Sequence, residues 1–258
     1  MNKASEKIDL DRRSFIGAAA GVTAVTVAPG ILLHTMARAE PRSEPVTSKV
    51  RYGMLIDTTK CADGCDSCVN ACNVENGLNL QTKPEGADDA KWDQQVAKWI
   101  RKVALQDNLT GRVTNLPLMC QHCEHPPCVD VCPTGASFKR ADGIVMVDRH
   151  TCIGCRYCMM ACPYKARSFI HAAVDEKLTQ MPRGKGCVES CNLCVHRRDN
   201  GEPSTACADA CAAEGHNAIV FGDLKDPESP LSKALEALPS RQIREDLALN
   251  TGVRYSGV

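Results

Sequence analysis

The cysteines of this chain occur in four runs, and this pattern constrains the fold more than any other feature. The chain has 258 residues and 17 cysteines, of which all but Cys187 fall into runs of four. The runs read CADGCDSCVNAC, CQHCEHPPCVDVCP, CIGCRYCMMACP, and CNLC followed after twelve residues by CADAC. Their cysteines are Cys61, Cys65, Cys68 and Cys72; Cys120, Cys123, Cys128 and Cys132; Cys152, Cys155, Cys158 and Cys162; and Cys191, Cys194, Cys207 and Cys211.

Three chemistries could use thiols at this spacing. Disulfides are common in exported proteins, and the first 39 residues, discussed below, predict export. A disulfide across a two-residue gap, however, would close a small, strained loop. Zinc takes four thiolates in a tetrahedron, usually from two well-separated Cys-x2-Cys pairs. The third run instead packs three cysteines into seven residues and adds a fourth before proline, which is the Cys-x2-Cys-x2-Cys-x3-Cys-Pro run of bacterial ferredoxins. The runs therefore indicate [4Fe–4S] clusters, with zinc and disulfides as the alternatives.

In a ferredoxin run the fourth cysteine binds the other cluster of a pair, so each cluster draws on two runs. The first cysteines of the second and third runs are 32 residues apart, which predicts a compact two-cluster module. The first and fourth runs must then pair around it. We name the predicted ligand sets the first outer set (Cys61, Cys65, Cys68, Cys211), the second outer set (Cys72, Cys191, Cys194, Cys207), the first inner set (Cys120, Cys123, Cys128, Cys162) and the second inner set (Cys132, Cys152, Cys155, Cys158).

This pairing predicts an α+β fold of two bacterial-ferredoxin-like modules, each for two [4Fe–4S] clusters, one inserted in the other, with loop-rich insertions. The predicted boundaries are a twin-arginine signal peptide at 1–39, the first part of the outer module plus an insert at 40–119, the inner module at 120–186, and the second part of the outer module with the C-terminal tail at 187–258.

Local patterns predict a few elements. ASFKR and GIVMVD, at 136–140 and 143–148, predict a hairpin turned at Asp142-Gly143, and NAIVFGD at 217–223 predicts a strand. QTKPEGADDA predicts a surface loop. KWIRKVAL at 98–105 predicts a strand that buries Trp99, although a helix over 91–105 fits almost as well. SPLSKALEAL predicts a helix capped by Ser229, followed by an irregular tail.

The first 39 residues predict a targeting signal. Arg12 and Arg13 lie in DRRSFIG, which resembles a twin-arginine motif, and Ala37-Arg38-Ala39 fits a cleavage site. An uncleaved membrane anchor is the alternative, because the run 15–33 is apolar. The twin-arginine route exports proteins already folded and loaded with cofactor, so bound thiolates would be protected in an oxidising compartment. We therefore expect a periplasmic protein that is exported folded.

Composition and motifs exclude several other classes. The formal net charge is zero, whereas a nucleic-acid-binding protein would show a basic surface. Aromatic residues make up only 4% of the chain, so its core needs support beyond large rings. The sequence offers no Ser-His-Asp pattern, phosphate-binding loop or carboxylate pair that predicts an active site.

The runs, the interior spacing Cys-x2-Cys-x4-Cys-x3-Cys-Pro, the PTGASFKR…DGIVMVD hairpin and FGDLKDPES resemble one family over residues 50–240. It is the four-cluster iron–sulfur subunits of the dimethyl sulfoxide reductase, polysulfide reductase and NrfC group. RYGMLIDTTKC, CVNACNVENG and LALNTGVRYSGV are most similar to the periplasmic iron–sulfur subunits of Dsr complexes in sulfur-metabolising bacteria.

This resemblance implies an electron-transfer subunit with two partners, an NrfD-type integral membrane subunit that reacts with quinone and a multihaem cytochrome c. One alternative is the same role in a molybdopterin oxidoreductase for dimethyl sulfoxide, polysulfide or thiosulfate. Another is a zinc-stapled structural module without redox function.

Some residues depart from the pattern or invite a second role. Cys61 and Cys65 are separated by three residues rather than two, and no proline follows Cys211. Cys187 is either an alternative ligand or a small buried residue. His122 suggests a hydrogen bond that tunes a cluster rather than a Rieske ligand. The basic run 196–198 is either solvated surface or a docking and tuning element.

Overall fold

The computed structural model describes residues 45–175 and 178–258, so the predicted signal peptide lies outside the described residues. The described chain is a mixture of short helices and small sheets. Its strands are β1 (Tyr52–Asp57), β2 (Arg101–Gln106), β3 (Val113–Leu118), β4 (Ser137–Lys139), β5 (Val145–Val147), β6 (Ser168–Phe169), β7 (Val188–Glu189), β8 (Ile219–Asp223) and β9 (Val253–Ser256). Its helices are α1 (Ser67–Glu75), α2 (Asp89–Gln95), α3 (Pro127–Asp130), α4 (Tyr157–Ala161), α5 (Val195–Asp199), α6 (Ala206–Ala213) and α7 (Pro230–Ala237).

A three-stranded sheet in the order β8-β1-β9 brings distant parts of the chain together. Strand β1 pairs antiparallel with β8, where Leu55 faces Val220, and parallel with β9, where Leu55 faces Arg254. Five of the six residues of β1 are buried, as expected of a central strand covered on both faces. Helix α1, which follows β1, packs against α6, which precedes β8. The first and fourth cysteine runs therefore lie side by side.

Several predicted elements are present. Strands β4 and β5 form the antiparallel hairpin expected between the second and third runs, and Gly143 at its turn has a φ of 85°. Strand β8 lies within the predicted segment 217–223. Helix α7 begins after Ser229, whose hydroxyl accepts a hydrogen bond from the Ser232 backbone N–H at 3.1 Å, as in an ordinary N-cap.

Two segments differ from expectation. The insert contains both structures that the periodicity allowed, because α2 holds Trp92 while β2 begins only at Arg101. Trp99 lies between them and is 1% exposed, so its predicted burial is confirmed. The irregular C-terminal tail was a wrong expectation, since β9 buries Val253 and Tyr255 against β1. Its partner is about 200 residues away in sequence, and local pattern does not reveal such a pairing.

The core combines apolar side chains with cysteines. Trp99 and Tyr255 are its largest fully buried rings, and most of the cysteines are buried among aliphatic residues. The thiols thus fill part of the interior that large aromatic rings would fill in other proteins. Within residues 45–175 and 178–258, no helix is long and apolar enough to cross a membrane.

Candidate metal centres

Three cavities in the described chain are each lined by four cysteines from two different runs. All four members of the first inner set line a cavity of about 320 Å³ including its mouth. The second inner set lines one of about 300 Å³, and the first outer set one of about 350 Å³. The structure therefore brings together the cysteines that the crossed pairing predicts. The first outer set converges despite its longer first gap and its missing proline.

The second outer set converges where α1 packs against α6. Its cysteines are all buried. Burial, reinforced by Cys207 and Cys194, raises the pKa of Cys72 well above its usual range. Burial and then Cys72 do the same to the pKa of Cys191. These mutual effects mean that the thiols of this set face one another in a water-poor interior.

The loops that present the cysteines share one backbone feature. In each run the residue just before the second cysteine has a left-handed backbone conformation. These residues are Gly64 (φ 72°), His122 (φ 45°), Gly154 (φ 71°) and Leu193 (φ 53°). Glycine adopts this conformation freely, whereas histidine and leucine are strained in it, and such strain is concentrated at functional sites. The first run therefore has the same left-handed residue before its second cysteine as the other three runs, and its extra residue lies before that position.

Backbone N–H groups point at the last cysteines of the runs. The Ser137 N–H donates to Cys132 Sγ at 3.3 Å, and the Ala166 N–H donates to Cys162 Sγ at 3.5 Å. In the fourth run the Ala218 N–H donates to Cys211 Sγ at 3.2 Å. Such donors stabilise negative charge on sulfur. They suit cysteines that act as thiolate ligands.

Burial makes several other cysteines of the sets poor acids while they are free. It raises the pKa of Cys68 to about 11, and it raises the pKa of Cys123 and of Cys207 to about 12. At neutral pH these three thiols are therefore protonated when unbound, and a metal must displace their protons in order to bind. Cluster assembly on these sets consequently releases protons and is favoured by higher pH.

The geometry of the sets suits a large metal group. All 17 cysteines are free thiols in the structure, which shows no support for the disulfide alternative. Among the residues that the structure describes, no three His, Cys, Asp or Glu side chains are placed to hold a single metal ion. Four thiols around a cavity fit an iron–sulfur cubane, whose irons and sulfides lie between the ligands.

The chain is similar to iron–sulfur subunits over almost its whole length. Residues 112–223 match the family described as a 4Fe-4S dicluster domain. The chain is 39% identical to the Hdr-like menaquinol oxidoreductase iron-sulfur subunit 1 of Archaeoglobus fulgidus, over 96% of this chain and 98% of that protein. It is 36% identical to a tetrathionate reductase subunit of Salmonella typhimurium, over 88% of this chain and 80% of that protein. It is also 36% identical to protein NrfC of Escherichia coli, over 78% of each chain. The chain belongs to the NrfC-type iron–sulfur subunits.

The predicted family is thus confirmed, and the protein is an iron–sulfur electron-transfer subunit of an oxidoreductase complex. In this NrfC-type subunit the cysteine sets form a row. The two outer sets share α1 and α6. The helices α3 and α4 contact each other and carry Cys128 of the first inner set and Cys158 of the second. Cys191 and Cys120, which belong to the second outer and first inner sets, lie close enough for the charge of one to affect the pKa of the other.

The ends of the row are more exposed than its middle. All cysteines of the second outer and first inner sets are buried. Cys61 and Cys65 at one end are half-buried, and Cys155 at the other end is exposed. Exposed apolar side chains surround Cys155, with Ile153 68%, Tyr157 53% and Met160 66% exposed. The first outer set is instead bordered by exposed acidic residues, Asp63, Asp66 and Glu214.

His122 is held as a neutral hydrogen-bond donor. Its Nδ1 accepts a hydrogen bond from the Val145 backbone N–H at 3.1 Å. Burial, followed by the charge of Arg167, lowers the pKa of His122 to about 3. The ring is therefore neutral and carries its proton on Nε2, which is buried without a partner among the described residues. A buried donor left free in this way fits the tuning role expected of His122.

The basic run 196–198 is packed rather than solvated. The Arg197 guanidinium donates to both carboxylate oxygens of Glu75, from Nε at 2.8 Å and from Nη2 at 2.6 Å. His196 Nε2 lies 2.6 Å from the same carboxylate. Arg198 is 4% exposed and lies over the Phe221 ring, 4.7 Å from its centroid. The run therefore ties α5 to the end of α1 and closes the second outer set.

Two further residues lie beside the sets. Cys187 is half-buried, donates from Sγ to the Arg149 carbonyl at 3.2 Å and adjoins Cys152. Sequence reasoning missed Arg167, which is 5% exposed and donates from Nη2 to Cys128 Sγ at 3.0 Å. Its only signal was its position in CPYKAR, on the turn that leads away from Cys162.

Proposed function

We propose that this chain binds four [4Fe–4S] clusters, one on each cysteine set, and relays electrons as the periplasmic iron–sulfur subunit of a Dsr-type sulfur-metabolism complex, in the manner of DsrO. The row of sets carries this proposal, since its middle is buried and its ends reach the surface. Such a row suits conduction between two partners. The inner and outer sets correspond to the two predicted modules, at 120–186 and at 40–119 with 187–258.

The two ends of the row favour two different partners. The apolar side chains around Cys155 suit docking on an NrfD-type, quinone-reactive membrane subunit, because exposed apolar clusters mark interaction sites. The acidic residues beside the first outer set suit a multihaem cytochrome c, because charged surfaces steer transient encounters between soluble redox proteins. The full-length similarity to a menaquinol oxidoreductase subunit supports a quinone-linked complex.

The residues of this chain would bind the clusters and shield them from water. A [4Fe–4S] cluster supplies one-electron transfer without a large change of structure. The thiolates hold the iron, and the backbone N–H groups at Cys132, Cys162 and Cys211 stabilise negative charge on sulfur. Burial of the middle sets excludes water and limits side reactions. No substrate chemistry is assigned to the chain itself.

The first experiment is anaerobic purification with a count of iron and acid-labile sulfide. Four cubanes require about sixteen of each per chain. About twelve irons and twelve sulfides per chain would mean that one of the four sites holds no cluster. The first outer set would then be tested first, with the variant Cys61→Ser. Zinc without sulfide would overturn the electron-transfer role.

Capture of the native complex identifies its partners. A multihaem cytochrome and a quinone-reactive membrane protein would support the Dsr-type complex. A molybdopterin subunit in their place would support the alternative, which the similarity to a tetrathionate reductase subunit favours. For docking, Met160→Asp should weaken capture of the membrane subunit at least tenfold, since a charge would enter an apolar contact. The control is Leu109→Asp, at a position 96% exposed in the β2–β3 turn.

The proposed localisation is tested separately. Replacing Arg12 and Arg13 by lysine should leave the loaded protein in the cytoplasm if export uses the twin-arginine route. Periplasmic accumulation of the variant would contradict that route. Mass spectrometry of the exported chain then decides between cleavage after Ala39 and an uncleaved anchor.

A further inference from the structure

Arg167 is a buried cation between the two inner sets. It lines the cavity of the first inner set and donates from Nη2 to Cys128 Sγ at 3.0 Å. Its charge also reaches Cys158 of the second inner set, because it opposes the effect of burial on the pKa of that thiol. One guanidinium therefore acts on ligands of both inner sets.

The charge of Arg167 has no carboxylate partner in the part of the chain that the structure describes. Among the described residues Arg167 forms no ion pair, and its Nε and Nη1 have no hydrogen-bond partner. Three cations beside the two outer sets are different, because each has an acidic partner. These pairs are Lys102 with Asp66, Arg197 with Glu75, and Arg183 with Glu189. Arg198, beside the second outer set, is also buried without an ion pair among the described residues, but it donates to the Ser204 carbonyl and packs over the Phe221 ring. Arg167 is distinguished from these cations because it donates directly to a cysteine sulfur of a set.

A buried charge without a partner is strongly destabilising, so its counter-charge must come from what the cavity holds. Thiolates bound to a cluster supply that negative charge. The attraction grows when the cluster gains an electron, because the negative charge facing the guanidinium increases. A hydrogen bond to a ligand sulfur acts in the same direction and raises the reduction potential.

We propose that Arg167 is the shared counter-cation of the two inner clusters and makes the inner pair the electron sink of the row. The inference rests on the proposed function, in that clusters occupy these sets. An electron delivered at either end then moves to the inner pair, whose reduced form is favoured over that of the outer pair. The direct contact with Cys128 makes the effect larger at the first inner set than at the second.

The test is a reductive titration of the anaerobic holoprotein, followed by electron paramagnetic resonance. In the wild type, two of the four clusters should be reduced before the others. Arg167→Gln should lower the reduced-to-oxidised ratio of those two clusters at least tenfold at a fixed potential, a shift of about 59 mV for a one-electron couple. Arg167→Lys should recover most of the shift, because the positive charge is kept.

The control is Arg101→Gln. Arg101 lines the same surface cavity as Arg167 but donates to the Tyr164 carbonyl at 2.9 Å rather than to a cysteine. Arg101→Gln should change the reduced-to-oxidised ratio of the two clusters that are reduced first by less than about threefold, since a partly exposed charge is screened by solvent.

Each variant is counted for iron and sulfide first, so that cluster loss is separated from a change of potential. Wild-type protein with fewer than four clusters would count against the proposed function. A full complement with equal shifts in all four clusters, or none, would overturn the role of Arg167. If Arg167→Gln does not hold its clusters, Arg167→Lys decides, because any shift should be confined to the two clusters that are reduced first.

Discussion

The pairing of Glu75 with Arg197 should be one of the stronger single contributions to holding the outer sets closed. Hydrogen bonds from Arg197 lower the pKa of Glu75 from 4.5 to about 2. At 1.36 kcal/mol per unit, that shift corresponds to about 3.4 kcal/mol. The Glu75 side chain is 20% exposed, and glutamine can still accept one hydrogen bond, so we expect Glu75→Gln to destabilise the fold by about 2 kcal/mol.

The assay is unfolding of the holoprotein in guanidinium chloride, followed by loss of visible absorbance. A loss of about 2 kcal/mol should speed unfolding by up to about thirtyfold if the contact is absent from the transition state. Because the pKa of Glu75 is depressed in the folded state, its contribution is complete above about pH 4.5 and is lost as pH falls toward about 2. The gap between wild type and variant should therefore shrink as the pH falls through about 4.5.

The matched control is Glu202→Gln. Glu202 lies 3.6 Å from the same arginine, but its side chain is 47% exposed, so its loss should have little effect. Equal effects of the two variants, or a gap that widens as the pH falls through about 4.5, would refute the reasoning.

Three further perturbations follow from single contacts. Gly154→Ala should remove about four irons per chain, because a Cβ there would lie 2.2 Å from the Gly186 carbonyl oxygen. The control is Gly135→Ala, which has a similar φ and no close neighbour and should keep all its iron; equal iron contents of the two variants would contradict the steric argument. Trp99→Phe removes the indole N–H that donates to buried Glu189 at 3.1 Å and should cost about 1.5–3 kcal/mol in guanidinium denaturation, while Trp92→Phe, whose indole makes no hydrogen bond with a described residue, serves as the control. Cys187→Ser should leave iron and sulfide unchanged, because its thiol donates to a carbonyl and lines none of the three cavities described above; loss of about four irons would make it a ligand.

The pairing of the cysteines could be read from the sequence because cluster ligation is periodic and local. Each of the first three runs fixes three neighbouring thiols and sends the fourth to another site, which leaves few alternatives to the four sets named above. The hairpin at Gly143 and the cap at Ser229 were equally accessible, since turn and cap chemistry depends on adjacent residues.

Long-range contacts were not accessible in this way. Nothing near Tyr255 shows that β9 pairs with β1, and the basic run gave no sign that Glu75, more than 120 residues earlier, would neutralise it. Arg167 was hidden for the same reason. A single arginine after a cysteine run carries no signal until the fold buries it beside Cys128.

The separation of the first and fourth runs also has a consequence during synthesis. Cys68 and Cys211 of the first outer set are 143 positions apart, and a ribosome adds roughly 5–20 residues per second. The thiols of the first run must therefore wait roughly 7–29 s for the residues that complete their sets. The second and third runs meet much sooner. A cell making this protein has to keep the early thiols reduced and free of stray metal during that interval, and a holding chaperone would be most useful on the first hundred residues.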